Sequence, residues 1–304
     1  MPSPIIAGYD GRDHASDALA LGQLLARATG GRLVVVCAYP DHPLGEGGAM
    51  ADLGTMVRED AEASLARARA ELGDGGGIEV EYHALAGAKP SEVLHELAER
   101  IDAAMFVLGA THHGAAVRLL AGSTPQRVLD GSPCPVAVAP EGYAAAHGAR
   151  AAGKVGVGAP LQIAVAFDES PEAANALEAA AALARQASGR LRVVTAVNTV
   201  GGIYPPLDPA TYEEIAELAR TTARERVERA VGRLDGLDVQ AAVLDGDPVQ
   251  ALLEDSRDDD LLFTGSSGKG SFRRVLMGSV STSLMRAAAC PVVVVPRGNG
   301  EHAA

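Results

Sequence analysis

The sequence predicts an α/β protein with two repeated domains, each an open, parallel, five-stranded sheet with helices on both faces. The length of 304 residues suits two domains, since one domain typically takes about 150 residues. Short β-branched runs alternate with alanine-rich segments, and most of the chain is written twice. That alternation is typical of strand–helix–strand units in a parallel sheet.

The repeat sets the domain boundaries. The segment around Asp10 returns around Asp168, and Gly109–Pro140 aligns without a gap with Gly265–Pro296. Two copies of one domain explain this most simply, because repeats of this kind are duplicated structural units. We therefore expect domains at residues 1–141 and 161–297, a flexible Ala/Gly-rich linker at 142–160 and a tail at 298–304.

The elements of the second copy follow in order from its periodicity. Runs such as Val292–Val295 suit strands that are buried on both faces, and the row from Ile215 to Leu234 keeps a helical spacing, with Glu225 and Arg229 paired on the wet side. The predicted strands are Ile163–Phe167, Leu191–Val197, Val239–Val243, Leu261–Gly265 and Val292–Pro296. The predicted helices are Pro171–Ala187, Pro209–Leu234, Val249–Asp255 and Ser279–Ala288. In the first copy, Asp41–Gly54 is expected to be a mobile loop over the carboxyl edge of the sheet.

Composition excludes several classes of function. A net charge of −13 opposes nucleic-acid binding, which needs a basic face, and the chain has no Trp for stacking on bases. The three cysteines form no CxxC pair, a pattern that suits a reducing compartment. No apolar segment approaches the roughly 20 residues that span a bilayer. We therefore expect a cytoplasmic protein that binds neither nucleic acid nor membranes.

A glycine-rich stretch after the fourth strand of the second copy predicts an anion site. Gly265–Ser271 leads through Arg273 and Arg274 to Gly278, and Ser279 begins a helix. Glycines allow successive amide groups to turn inward, and a helix N-terminus favours phosphate. The stretch is not a Walker A loop, because Lys269 is followed by glycine rather than Ser or Thr. The stretch from Gly265 to Ser279 is long enough to surround a triphosphate.

An acidic residue follows the first strand of each copy, at Asp10 and Asp168. Ligands of open parallel sheets bind beyond the carboxyl ends of the strands, where these residues lie. Each carboxylate has two interpretations. It could cap the following helix, or it could accept hydrogen bonds from the hydroxyl groups of a sugar.

These features resemble the universal stress protein family. Gly265, Gly268 and Gly278–Ser279 match that family's nucleotide motif G-2x-G-9x-G-[ST], and the likeness to a tandem, two-domain member covers nearly the whole chain. The resemblance implies a Rossmann-like, adenine nucleotide alpha hydrolase-like fold with ATP at the carboxyl edge of each sheet. It further implies that the carboxylate after strand one contacts the nucleoside, the backbone after strand two reads adenine, and the motif holds phosphates. The implied ATP-binding residues of the second domain are Asp168, Ala196, Gly265, Gly268, Gly270, Gly278, Ser279 and Val280.

The first domain departs from the motif at one position. The matching residues are Asp10, Ala38, Gly109, His112, Gly114, Gly122, Ser123 and Thr124, where His112 replaces the second motif glycine. If the loop needs a positive φ there, a β-carbon costs about 1 kcal/mol or more. His112 could instead donate a hydrogen bond to phosphate, and both interpretations stay open.

The sequence and the resemblance together predict an ATP-binding protein, with Mg²⁺ on the phosphates, that acts as a nucleotide-gated signalling or scaffolding module in the stress response. No residue set predicts an enzyme, and no residues predict a protein-bound metal site. The alternatives are a dimerisation module that binds no nucleotide, or a slow ATPase or nucleotidyl transferase. The last strands, Pro135–Ala139 and Pro291–Val295, are expected to pair in an intramolecular pseudo-dimer, with homo-oligomers beyond it.

Overall fold

The computed structural model describes residues 3–41, 49–110, 124–153, 159–198, 208–266 and 278–296. These residues fall into two compact units that divide between Ala159 and Pro160. We call them unit 1 and unit 2. The predicted α/β class, with parallel strands that alternate with helices in each unit, is confirmed.

Unit 1 alternates strands and helices along the chain. Its elements are β1 (Ile5–Gly8), α1 (Asp13–Thr29), β2 (Leu33–Pro40), α2 (Ala49–Leu72), β3 (Val80–Gly87), α3 (Pro90–Ile101), β4 (Met105–Gly109), α4 (Thr124–Leu129), β5 (Val136–Ala139) and α5 (Tyr143–Ala151). The strands are parallel in the order β3-β2-β1-β4-β5. The order reverses between β1 and β4, which opens a crevice at their carboxyl ends.

Unit 2 repeats this arrangement. Its elements are β6 (Gln162–Ala166), α6 (Pro171–Ala187), β7 (Arg190–Val197), α7 (Pro209–Val231), β8 (Val239–Asp245), α8 (Pro248–Asp255), β9 (Leu261–Gly265), α9 (Ser279–Ala287) and β10 (Val292–Val295). The strands are parallel in the order β8-β7-β6-β9-β10, so the reversal lies between β6 and β9.

The core of each unit is its sheet. The central strands are buried on both faces, as parallel strands covered by helices must be, and Phe106 on β4 and Phe263 on β9 are fully buried. Three helices of unit 2 begin with proline directly after a capping side chain. The caps are Ser170, Asp208 and Asp247, whose side-chain oxygens accept hydrogen bonds from first-turn amides. These caps fix where α6, α7 and α8 start.

The assignment of residues 142–160 to a flexible linker was wrong over Tyr143–Ala151, which form α5. Both end residues of α5 are buried, and the helix packs on α1. The buried carboxylate of Asp17 accepts hydrogen bonds from the amides of Gly142 and Ala144, at 3.1 and 2.8 Å. Alanine and glycine, typical of a linker, here permit a close approach between two helices.

Two further expectations change. Residues 49–54, at the end of the expected mobile loop, belong to α2, and residues 42–48 lie outside the described part. On α7 the helical row includes the exposed Ile215 and Leu218, while Val227 is buried. Arg229, expected to pair with Glu225, forms an ion pair with Glu169. Thus the large apolar side chains of the first half of α7 are exposed, although Ala216 is buried there.

In the stretches that the structure describes, no helix has both the length and the apolar character needed to cross a bilayer.

Candidate functional site

A cavity of about 500 Å³ lies at the carboxyl edge of the unit 2 sheet, where the strand order reverses. Ligands of open α/β sheets bind at such a reversal, because the connections leave the two strands on opposite sides. The lining includes six residues singled out from the sequence: Asp168, Ala196, Gly265, Gly278, Ser279 and Val280. The predicted residues Gly268 and Gly270 lie outside the described part of the chain.

Asp168 is exposed at the rim of this cavity and does not cap α6. Ser170 is the cap, since its Oγ accepts a hydrogen bond from the amide of Ala173 at 3.1 Å. The same hydroxyl, and the Ser170 amide at 3.0 Å, donate to Oδ1 of Asp168. Of the two interpretations of Asp168, the capping one is therefore wrong. Oδ2 of Asp168 accepts no hydrogen bond from the described residues, so no contact within that part of the protein requires it.

Gly265 ends β9 directly against the first turn of α6. A β-carbon at this position would lie 2.5 Å from the carbonyl carbon of Glu172 and 2.6 Å from its oxygen. Real β-carbons almost never approach backbone so closely, so only glycine fits without a shift of the helix. Gly109 has the same relationship with the carbonyl of His14 in unit 1. Both glycines thus have a packing reason that is separate from any contact with phosphate.

The N-terminus of α9 forms another wall of the cavity. Gly278 precedes it in an extended conformation, with φ −68° and ψ 157°, and no side chain caps the helix. The first amides of a helix have no partner within it, and they carry a partial positive charge. Ser281 turns back to the Gly278 carbonyl at 3.2 Å. The amides of this turn are suited to bind an anion.

The remaining walls are mostly apolar. Val194 and Ala196 come from β7, Phe167 follows β6, and Leu252 comes from α8. Small-molecule sites combine such apolar walls with a few convergent polar groups, and their volumes are about 300–1,000 Å³. Both the volume and the lining fall within that description.

Unit 1 has a smaller cavity of about 210 Å³ at the matching place. It brings together three of the predicted residues, Asp10, Ala38 and Gly109. Four others, His112, Gly114, Gly122 and Ser123, are outside the described residues, and Thr124 is the first residue of α4. The two interpretations of His112 therefore stay as predictions.

The carboxylate of Asp10 is engaged at both oxygens. Oδ1 accepts a hydrogen bond from the amide of Arg12 at 3.1 Å, while Oδ2 lies 3.6 Å from Nε of Arg12 and 3.5 Å from Nε2 of His14. Burial alone would raise the pKa of Asp10, but hydrogen bonds from His14 and the Arg12 amide outweigh it and lower that pKa. This carboxylate is held as an anion by its own unit.

A groove of about 580 Å³ runs from the rim of the unit 2 cavity along α7. It shares Asp168 and Ala196 with the cavity and includes the exposed Ile215 and Leu218. Beside it Glu169 has a left-handed backbone, with φ 62°, and its carboxylate forms ion pairs with Arg226 at 3.1 Å and Arg229 at 3.3 Å. A left-handed residue other than glycine is strained, and such residues cluster at functional sites.

Sequence reasoning did not single out Ser170, Glu169, Arg12 or His14. For Ser170 a signal existed, because a serine before proline at the start of an alanine-rich segment is typical of a helix cap. The other three depend on contacts between side chains, for which the sequence carries no short signature.

Metal and thiol chemistry find no support in the described residues. No group of three or more His, Cys, Asp or Glu side chains there could hold a metal ion. The three cysteines are buried and unpaired. Burial raises the pKa of Cys37 and Cys290 to about 11 and that of Cys134 to about 12. Thiols held protonated in this way are poor nucleophiles.

Comparisons with known proteins agree with this architecture. The family model described as the universal stress protein family matches residues 1–140 and 161–296. A universal stress protein of Mycolicibacterium smegmatis is 31% identical over 267 residues, which are 86% of this chain and 83% of that protein. One from Mycobacterium tuberculosis is 29% identical over 227 residues, 72% of this chain and 73% of that protein. The crystal structure of a universal stress protein from Archaeoglobus fulgidus shares the fold, with a TM-score of 0.66 and 22% identity over 97% of this chain and 98% of that one. With both of its halves matched, the chain belongs to the universal stress protein family.

Proposed function

We propose that unit 2 binds ATP together with Mg²⁺, and that the protein acts as a nucleotide-gated signalling or scaffolding module in the stress response. One observation carries this proposal. A single cavity of ligand size gathers Asp168, the end of β7, the end of β9 and the uncapped start of α9. An acceptor, an apolar wall and a donor-rich helix end are what a sugar, a base and a phosphate chain respectively require.

The sugar end of the nucleotide fits Asp168. Its Oδ1 is fixed by two hydrogen bonds from Ser170, which orients the carboxylate without occupying Oδ2. A ribose hydroxyl donating to Oδ2 forms a hydrogen bond to a charged acceptor, worth about 1.5–3 kcal/mol. The apolar side chains of Val194 and Leu252 line the same cavity and suit the faces of an adenine ring.

The phosphate end fits the start of α9. Gly278 and Ser279 present backbone there, and the helix end favours negative charge. Mg²⁺ usually binds through phosphate oxygens and water with few protein ligands. We therefore propose that the cation arrives on the triphosphate rather than on a separate protein site.

Binding rather than turnover is the proposed activity. We propose that ATP is bound without rapid hydrolysis, since rapid phosphoryl transfer needs a metal ion and a positioned base together. A module that dimerises without binding nucleotide is the alternative. In that case the cavity glycines would serve packing alone, as the contact of Gly265 with Glu172 illustrates.

Titration calorimetry of matched variants tests the proposal. Asp168→Ala is expected to weaken MgATP binding about tenfold, the loss of one hydrogen bond to a charged acceptor. The control is Asp208→Ala, which removes a carboxylate that caps α7 and does not line the cavity. The control should keep the affinity of the unaltered protein. Equal affinities for all three proteins would remove Asp168 from the site.

A further inference from the structure

The two units present the same carboxylate in different ways. Asp10 and Asp168 occupy equivalent positions in the repeat, as do Arg12 and Ser170, and His14 and Glu172. The backbones around these pairs are alike, because the carbonyl of His14 packs on Gly109 as that of Glu172 packs on Gly265. The side chains can therefore be exchanged between units on a common framework.

In unit 2 the carboxylate keeps one oxygen available. Both hydrogen bonds to Asp168 come from Ser170 and fall on Oδ1. Within the described part of the chain, no donor reaches Oδ2. A ligand hydroxyl can bind that oxygen without displacing a protein group.

In unit 1 both oxygens are taken. The Arg12 amide donates to Oδ1, and the Arg12 guanidinium and the His14 imidazole lie 3.5–3.6 Å from Oδ2. A hydroxyl that binds Oδ2 would have to compete with these groups, and at least one of them carries a full positive charge. The unit 1 cavity is also less than half the volume of the unit 2 cavity.

We infer that Arg12 and His14 are specificity-determining residues that withdraw Asp10 from sugar binding, so that unit 1 discriminates against the ribose that unit 2 accepts. This inference rests on the proposed nucleotide site of unit 2. It attributes the difference in sugar binding between the two units to Arg12 and His14 at the start of α1. This explanation does not depend on His112, which replaces a glycine of the nucleotide motif in unit 1.

Transfer of the unit 1 pair into unit 2 tests the inference in the full-length chain. The readout is the ratio of the affinity for ATP to that for 2′,3′-dideoxy-ATP, which lacks both ribose hydroxyls. The unaltered protein should favour ATP about tenfold, since the lost hydrogen bond is to a charged acceptor. In Ser170→Arg/Glu172→His the ratio should fall to about one, since the effect of the added charge on the triphosphate is common to both nucleotides and cancels in the ratio.

A matched variant separates the added cations from the lost cap. Ser170→Gly/Glu172→Gln removes the Ser170 hydroxyl and the negative charge of Glu172 and adds no positive charge. Its ratio should stay well above that of the Arg/His variant. Equal ratios in the two variants would overturn the inference, because the cap or the Glu172 carboxylate would then explain the loss.

A milder variant keeps the test usable if the double substitution unfolds the protein. Glu172→Arg retains the Ser170 cap and places one permanent cation where His14 stands in unit 1. Its ratio should fall towards one, and an unchanged ratio would overturn the inference. If the unaltered protein binds ATP without preference over the dideoxy nucleotide, sugar recognition by Asp168 is wrong although nucleotide binding stands. If it binds neither, the proposed function itself fails.

Discussion

Gly265 lies in contact with the backbone of Glu172, so closely that a β-carbon on Gly265 would come within 2.6 Å of the Glu172 carbonyl oxygen. This contact joins the end of β9 to the first turn of α6 and sets the distance between two walls of the unit 2 cavity. The residue is therefore a structural determinant of the site, whatever its amide binds.

Gly265→Ala should destabilise the protein by about 1–3 kcal/mol, the usual cost of forcing an extra carbon into a packed region. Because α6 would have to move, the variant should also bind MgATP more weakly. Denaturant unfolding and calorimetry measure the two effects. Gly148→Ala is the control, since a β-carbon in that helical position meets nothing within 4 Å. It should be neutral or stabilising by up to about 1 kcal/mol. Equal stabilities for the two variants would contradict the packing account.

Asp17→Ala should weaken the packing of α5 against α1. The carboxylate is buried, and its loss would leave the amides of Gly142 and Ala144 without their partner, at a cost of about 1–3 kcal/mol. Limited proteolysis should then cleave within residues 142–153, a region that the packing of α5 on α1 should protect in the unaltered protein. Asp13→Ala removes an exposed acid one turn earlier in α1 and should leave the protection intact.

Arg192→Met should destabilise unit 2 in a pH-dependent manner. The guanidinium of Arg192 donates hydrogen bonds of 2.8 Å to Asp255 and 3.0 Å to Asp259. Its loss would leave these two poorly exposed carboxylates without their shared cation, which should lower the free energy of unfolding by about 2–3 kcal/mol near neutral pH. Burial raises the pKa of Asp259, and only Arg192 opposes that shift strongly. A carboxyl group whose pKa is raised in the folded state stabilises that state while it is protonated. This contribution to the stability of the protein is lost as the pH rises through the raised pKa. The deficit should therefore shrink as the pH falls through the range in which Asp259 takes up a proton.

Unfolding curves for Arg192→Met at pH 5 and pH 7.5 measure that difference. Arg190→Met is the matched control, because its ion pair with Asp238 is well exposed and worth little. A deficit that is the same at both pH values would contradict the role given to Asp259.

The cysteines should be inert in the folded protein. At pH 8 almost none of the three thiols is ionised, since their pKa values lie at about 11 to 12. A thiol reagent should modify no cysteine in the native state and three after unfolding. Rapid labelling of a cysteine in the native protein would contradict the burial described here.

The sequence predicted the bounds of elements best where the signal lies within the element itself. The strand Leu261–Gly265 and the helix Pro171–Ala187 have the predicted bounds, because an apolar run and an Ser-Pro start are local signals. The helix α5 was missed because its stability depends on Asp17, which is about 125 residues away in the chain. Composition cannot reveal a partner at that distance.

The site shows the same division between local and distant signals. Spacing of motif residues led to Gly265, Gly278 and Ser279, and the structure brings them to one cavity with Asp168. The engagement of Asp10 by His14 could not be predicted, because it depends on side-chain geometry at the start of α1. The repeat in the sequence predicts equivalent sites in the two units, whereas in the structure Asp10 and Asp168 have different hydrogen-bond and ion-pair partners.

The amount and identity of nucleotide carried by the purified chain test the central claim most directly. With six Tyr and no Trp the protein absorbs weakly at 280 nm, so a bound adenine ring is easily detected near 260 nm. After acid denaturation of the purified protein and chromatography of the supernatant, the account predicts about one ATP per chain. About two ATP per chain would contradict the difference between the units. No nucleotide, together with a melting temperature that saturating MgATP does not shift, would contradict nucleotide binding altogether.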